Sequence, residues 1–64
     1  MNMYYHHFII IEKGGTKMVR AGRGTLFTYN RAYAKKFTSE WSANNFLGKM
    51  NDSELYQLKK IAHQ

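Results

Sequence analysis

Residues 4–13 carry apolar or aromatic groups on both sides of an extended chain: Tyr4, His6, Phe8 and Ile10 on one, Tyr5, His7, Ile9 and Ile11 on the other. The same residues make no helical stripe. A strand apolar on both faces belongs in the middle of a sheet or against a partner. Gly14-Gly15 follows at once and supplies the positive φ that a tight hairpin turn demands. A return strand is therefore predicted over 16–21, with Met18 and Val19 on opposite faces. Gly22-Arg23-Gly24 makes a second turn, and residues 25–29, rich in β-branched and aromatic side chains, a third strand.

Beyond Tyr29 the period changes. Asn30 is placed to cap one helical turn through Arg31-Ala32-Tyr33-Ala34, and Lys36-Phe37 reads as a short extended piece. Thr38 or Ser39 is a natural N-cap, and Glu40 suits a helix start. Ala43, Phe46, Leu47 and Met50 then fall at the spacing of one buried helical stripe. Asn51-Asp52-Ser53 interrupts, and Asn51 or Asp52 can cap a second helix with an apolar face of Leu55, Leu58, Ile61 and Ala62. Lys59 and Lys60 would complement the dipole of its last turns. The predicted fold class is α+β, a single domain over 1–64: a three-stranded antiparallel β-meander within 4–29, a connector over 30–38, and two short helices, about 39–50 and 53–62, packed on the sheet.

A chain of 64 residues has little surface to bury, roughly 60% of what it exposes when unfolded. Its ten aromatic residues compensate, each burying more apolar area than a valine. With no cysteine, there is neither a disulfide nor a thiolate zinc site to hold the fold. The longest apolar run, Phe8-Ile9-Ile10-Ile11, is far short of the ~20 residues of a membrane span. The stretch Met1–His7 lacks a basic region and a small-residue cleavage site, so no signal peptide is expected, and the expected place is the cytoplasm, away from membranes.

Nothing in the sequence points to catalysis or a cofactor. Three of the four carboxylates fall at predicted helix starts, where capping explains them. His6 and His7 are strand neighbours on opposite faces and cannot chelate one ion together, and His63 lies near the C-terminus. Gly14-Gly15-Thr16-Lys17 has the letters of a phosphate loop in the wrong order, and Phe27 stands where a dinucleotide fingerprint needs its third glycine. Both are turn glycines.

Charge is the informative signal. Lys13, Lys17, Arg20, Arg23, Arg31, Lys35 and Lys36 face the single Glu12 in residues 1–36, whereas residues 37–64 are balanced, so the first half carries the whole net charge of +6. Such asymmetry is what a polyanion-facing surface produces. Lys17, Arg20, Arg23, Arg31, Lys35 and Lys36 are the candidate nucleic-acid-binding residues. Arginine meets phosphate or guanine bidentately, and tyrosines stack on bases. Tyr29 and Tyr33, interleaved with Arg31, either do this or pack under the first helix. Trp41 points away from the Ala43/Phe46/Leu47/Met50 stripe, towards Asn44, Asn45 and Gly48. It is either covered by the second helix or exposed as a binding hot spot.

The order of elements over residues 4–50, with Lys36-Phe37-Thr38-Ser39 followed by Ala43, resembles the arm-type DNA-binding domains of tyrosine recombinases. That resemblance implies a sheet that enters the major groove; it does not account for residues 52–63. Two functions are expected. One is a small non-enzymatic nucleic-acid-binding accessory protein, DNA favoured over RNA, using the basic sheet and turns. The alternative is an interaction module encoded by a phage or other mobile element that inhibits or redirects a host protein complex, as an anti-defence protein does. Trp41, Tyr29 and Tyr33 are its candidate partner-binding residues. It is suggested by a tiny chain that reads as complete from Met1 and lacks catalytic groups. A homodimer through an open sheet edge is a third possibility.

Overall fold

A computed structural model of the chain describes residues 5–63; Tyr4, the expected start of the first strand, and Met1–Met3 lie outside them. Four strands, β1 (Tyr5–Glu12), β2 (Met18–Val19), β3 (Phe27–Thr28) and β4 (Tyr56–His63), form one sheet in the order β3-β2-β1-β4. All its pairings are antiparallel. One α-helix, α1 (Glu40–Gly48), packs against β1 and β4. Single 3₁₀ turns occupy Arg31–Tyr33 and Ser53–Leu55.

The β1–β2 turn requires glycine at one position. Gly14 has φ +70°, and the Gly15 amide donates to the Glu12 carbonyl at 3.1 Å, the pattern of a turn with a left-handed third residue. Gly15 does not share the positive φ, but a side chain there would run into the Glu12 carboxylate. β2 and β3 are shorter than predicted because β2 parts from β1 after its first residues, Met18 opposite Ile11. The connector fills the gap: Arg20 bridges to Ala34, and Phe8 to Phe37.

The expected three-stranded meander with two helices is corrected to a four-stranded sheet with one helix. Residues 53–62 form a 3₁₀ turn and then β4, which pairs with β1 along its whole length from Tyr5↔His63 to Glu12↔Tyr56. The apolar spacing Leu55/Leu58/Ile61/Ala62 fits a helix, but Leu55 is 51% exposed and Tyr56, off that stripe, is buried. The reason lies in β1. Its hairpin partner reaches only the Ile11–Glu12 end, and the N–H and C=O groups along its other edge need partners if Ile9 and Ile10 are to be buried. A second helix would cover a face and leave that edge unpaired. A strand satisfies the edge.

Apolar groups on the two faces of β1 then build two cores. On the helix side, Ile10, Val19, Phe37, Ala43, Met50 and Tyr56 are buried, with Phe8, Phe46, Leu47 and Leu58 packed against them. The predicted helical stripe is thus the one used. On the opposite side Ile9, Met18 and Ala34 are buried beside Ile11 and Ile61. His7 shares this side with Ile9 and is buried, whereas His6 is exposed on the other. The N-terminus of α1 is closed by Ser39, whose hydroxyl accepts from the Ser42 amide at 3.1 Å.

Candidate nucleic-acid interface

The hairpin of β2 and β3 continues into an arm. Every residue from Arg20 to Phe27 and from Tyr29 to Tyr33 is exposed. The Arg20 amide still donates to the Leu26 carbonyl at 2.7 Å, so the loop begins at Ala21. Gly22 and Gly24 adopt φ of +122° and +70° with open space around them, so backbone conformation requires glycine there. Arg23 is carried between them at the tip.

Local hydrogen bonds set the base of the arm. Thr28 Oγ1 accepts from the Asn30 amide at 3.0 Å, and Asn30 Oδ1 from the Ala32 amide at 2.9 Å, which starts the Arg31–Tyr33 turn where the sequence predicts it. The turn is tied to the sheet: Ala21 donates to the Tyr33 carbonyl, and Lys35 to that of Val19, both at 2.9 Å. Arg20 and Tyr33 are brought together as a result, with the guanidinium 5.9 Å from the ring centroid.

The six predicted cations divide into two groups. Arg20, Arg23, Arg31 and Lys36 are exposed. Lys17 and Lys35 are half-buried across aromatic rings. The Lys17 ammonium is 4.9 Å from the Phe27 centroid and 5.9 Å from that of Tyr56. That of Lys35 is 5.8 Å from Phe37 and 5.7 Å from Phe46. The Tyr56 hydroxyl, by hydrogen bonding and by charge, raises the Lys17 pKa above the usual lysine value, and the charges of Glu12 and Tyr29 add to the effect. Both ammonium groups thus lie against aromatic rings of the domain.

Strand alternation places Arg20, with Met18 and Ala34, on the sheet face opposite α1. Lys36, two residues from Ala34, falls on the same side. A third cation lies there, Lys59, exposed opposite Ile9 on β4, where the sequence alone predicts the end of a helix. Read at period 2, it alternates with Leu58 and Lys60, but that signal is readable only once β4 is known to be a strand.

The aromatic expectations resolve towards exposure. Tyr29 and Tyr33 are 72% and 56% exposed and do not pack under α1. Trp41 is 75% exposed, and among the described residues there is no second α-helix to cover it. Asn44, Asn45 and Gly48 beside it are also exposed, so the outer face of α1 is uncharged between Glu40 and Lys49. Comparison of the chain with protein-family models, with curated proteins and with solved structures finds no match. No helix among the described residues is long and apolar enough to cross a membrane.

Proposed function

We propose that the protein is a small, non-enzymatic nucleic-acid-binding accessory protein that uses the β2–β3 arm and the sheet face behind it, with duplex DNA as the preferred ligand. One observation carries the reading. Between Glu12 and Glu40 there is no acidic residue, and the exposed part of that stretch projects Arg20, Arg23 and Arg31 among Tyr29 and Tyr33. Arginines on a two-stranded ribbon match phosphate oxygens and base edges in a groove, and exposed tyrosines add stacking surfaces. Arg20, Arg23, Arg31 and Lys36 are the residues assigned to phosphate. Lys17 and Lys35 are assigned to the fold.

The test is the anisotropy of a fluorescently labelled duplex, titrated at about 50 and 200 mM salt; four phosphate contacts imply an affinity loss of about 100-fold across that range. Affinity that is absent at low salt, or indifferent to salt, overturns the proposal.

The exposed, uncharged face of α1 favours a second reading, an interaction module that docks on a host protein complex through Trp41, with Asn44, Asn45 and Gly48 around it. Aromatic anchors flanked by uncharged groups are the usual composition of interface centres. Trp41→Ala would then abolish complex formation at any salt concentration, and Arg20→Ala would not.

A further inference from the structure

At the base of the arm lies a cleft of about 220 Å³ between Thr25 and Phe27 on one wall, Lys49–Asp52 on the other, and Tyr56. It is smaller than the roughly 300–1,000 Å³ of sites for drug-sized ligands, so its occupant is small. Phe27 is 40% exposed and is held by stacking on buried Tyr56, with centroids 5.5 Å apart and planes 17° apart. The Lys17 ammonium also lies against both rings but does not line the cleft. Its aromatic wall is therefore oriented before any ligand arrives.

The polar groups of the cleft are uncommitted. Asp52 precedes the Ser53–Leu55 turn without making a side-chain cap bond, although its carbonyl accepts from Leu55 at 2.9 Å. Among the described residues neither Asp52 nor Lys49 is engaged in an ion pair, although both line one small cleft. A planar ring against Phe27, a hydrogen-bond donor facing a carboxylate and an anion near an ammonium are the complement of this set.

We propose that the cleft receives a single unpaired pyrimidine nucleotide, with cytosine preferred to thymine. Its ring would lie against Phe27, its exocyclic amine would donate to Asp52, and its phosphate would approach Lys49. Carboxylates accept from the cytosine N4 amine, and thymine presents a carbonyl oxygen at the corresponding position. Aromatic stacking of single bases on such a platform is sequence-tolerant, so the preference rests on Asp52. The inference builds on the nucleic-acid reading, because β3 joins the cleft to the arm and a strand tracking the arm would reach it.

The test compares labelled oligo(dC) and oligo(dT) with a blunt duplex on the full chain at low salt. Expected is a preference for oligo(dC) over oligo(dT) of about tenfold, the fold-change of one hydrogen bond to a charged group. Asp52→Ala should erase that ratio while duplex affinity holds. Phe27→Leu, which keeps apolar volume at the site, should weaken both oligonucleotides at least about fivefold through lost stacking. Duplex binding with equal affinity for the two oligonucleotides overturns the cleft assignment alone. A preference that survives Asp52→Ala overturns it as well. Failure of all three ligands to bind overturns both this proposal and the nucleic-acid reading.

Discussion

Phe8 and Phe37 exchange both backbone hydrogen bonds, at 2.8 and 2.9 Å, across the edge of β1 that β2 has left. The contact closes the connector onto the sheet and brings Phe37 into the helix-side core, where its ring lies 5.5 Å from that of Phe46. A residue in a connector thus links β1 and α1. Phe37→Ala should destabilise the protein by about 3 kcal/mol or more, the usual cost of emptying a buried aromatic site. In so small a domain much of the population would unfold, visible by circular dichroism at room temperature. Trp41→Ala, at an exposed site, should stay within about 0.5 kcal/mol of the parent in the same denaturation experiment.

Ser39→Ala removes the side-chain oxygen that accepts from Ser42 at the first turn of α1. A loss of about 1 kcal/mol is expected, read as a lower urea midpoint with an unchanged slope. Ser39→Asp should restore it, because aspartate caps as well and its charge favours the helix N-terminus.

The division of the cations predicts a contrast in salt dependence. Replacing Arg20 and Arg23 together by alanine should flatten the plot of log affinity against log salt by about 2, one unit per lost phosphate contact. Lys35→Ala should leave the slope unchanged, since that ammonium lies over Phe37 and Phe46. Equal loss of slope in both variants would show that net charge, and not the exposed arm, governs binding.

The raised pKa of Lys17, which comes first from Tyr56, has a consequence at alkaline pH. A folded-state pKa above the unfolded one means that protonated Lys17 favours the native state. Its contribution is complete below the ordinary lysine value and is lost as pH rises through the elevated one. The parent should therefore lose more thermal stability than Lys17→Met as the pH rises from neutral through and beyond the ordinary lysine range. Parallel melting curves for the two proteins across that window would count against the Lys17–Tyr56 contact.

β4 is the long edge of the sheet, and exposed Lys59 and Lys60 sit at its middle. Two copies pairing there about a two-fold axis would bring these like charges together, a common guard against edge-to-edge association. Replacing both by threonine should produce concentration-dependent dimers or larger species in size-exclusion chromatography, whereas the parent should elute with standards of its own monomer mass. A parent that is itself dimeric at micromolar concentration would mean that the lysines do not protect this edge.

Local chemistry accounts for what was legible in the sequence. The positive φ at Gly14, the Asn30 and Ser39 caps, the two apolar faces of β1 and the Ala43/Phe46/Leu47/Met50 stripe are set by neighbours a few residues apart. The excess of basic residues before Glu40 is likewise plain, and so is the outward direction of Trp41. Tertiary structure decided the state of residues 56–63, whose side chains suit either a helix or a strand. Their strand form follows from unpaired backbone on β1, some fifty positions earlier in the chain, and no local pattern records that demand. Pairing with β1 placed Lys59 on the face of Arg20, and the same packing drew Lys17 and Lys35 out of the set of free cations by laying them across aromatic rings. Backbone hydrogen bonds between distant segments must be satisfied together, and that shared requirement outweighs the weak preference of any one segment.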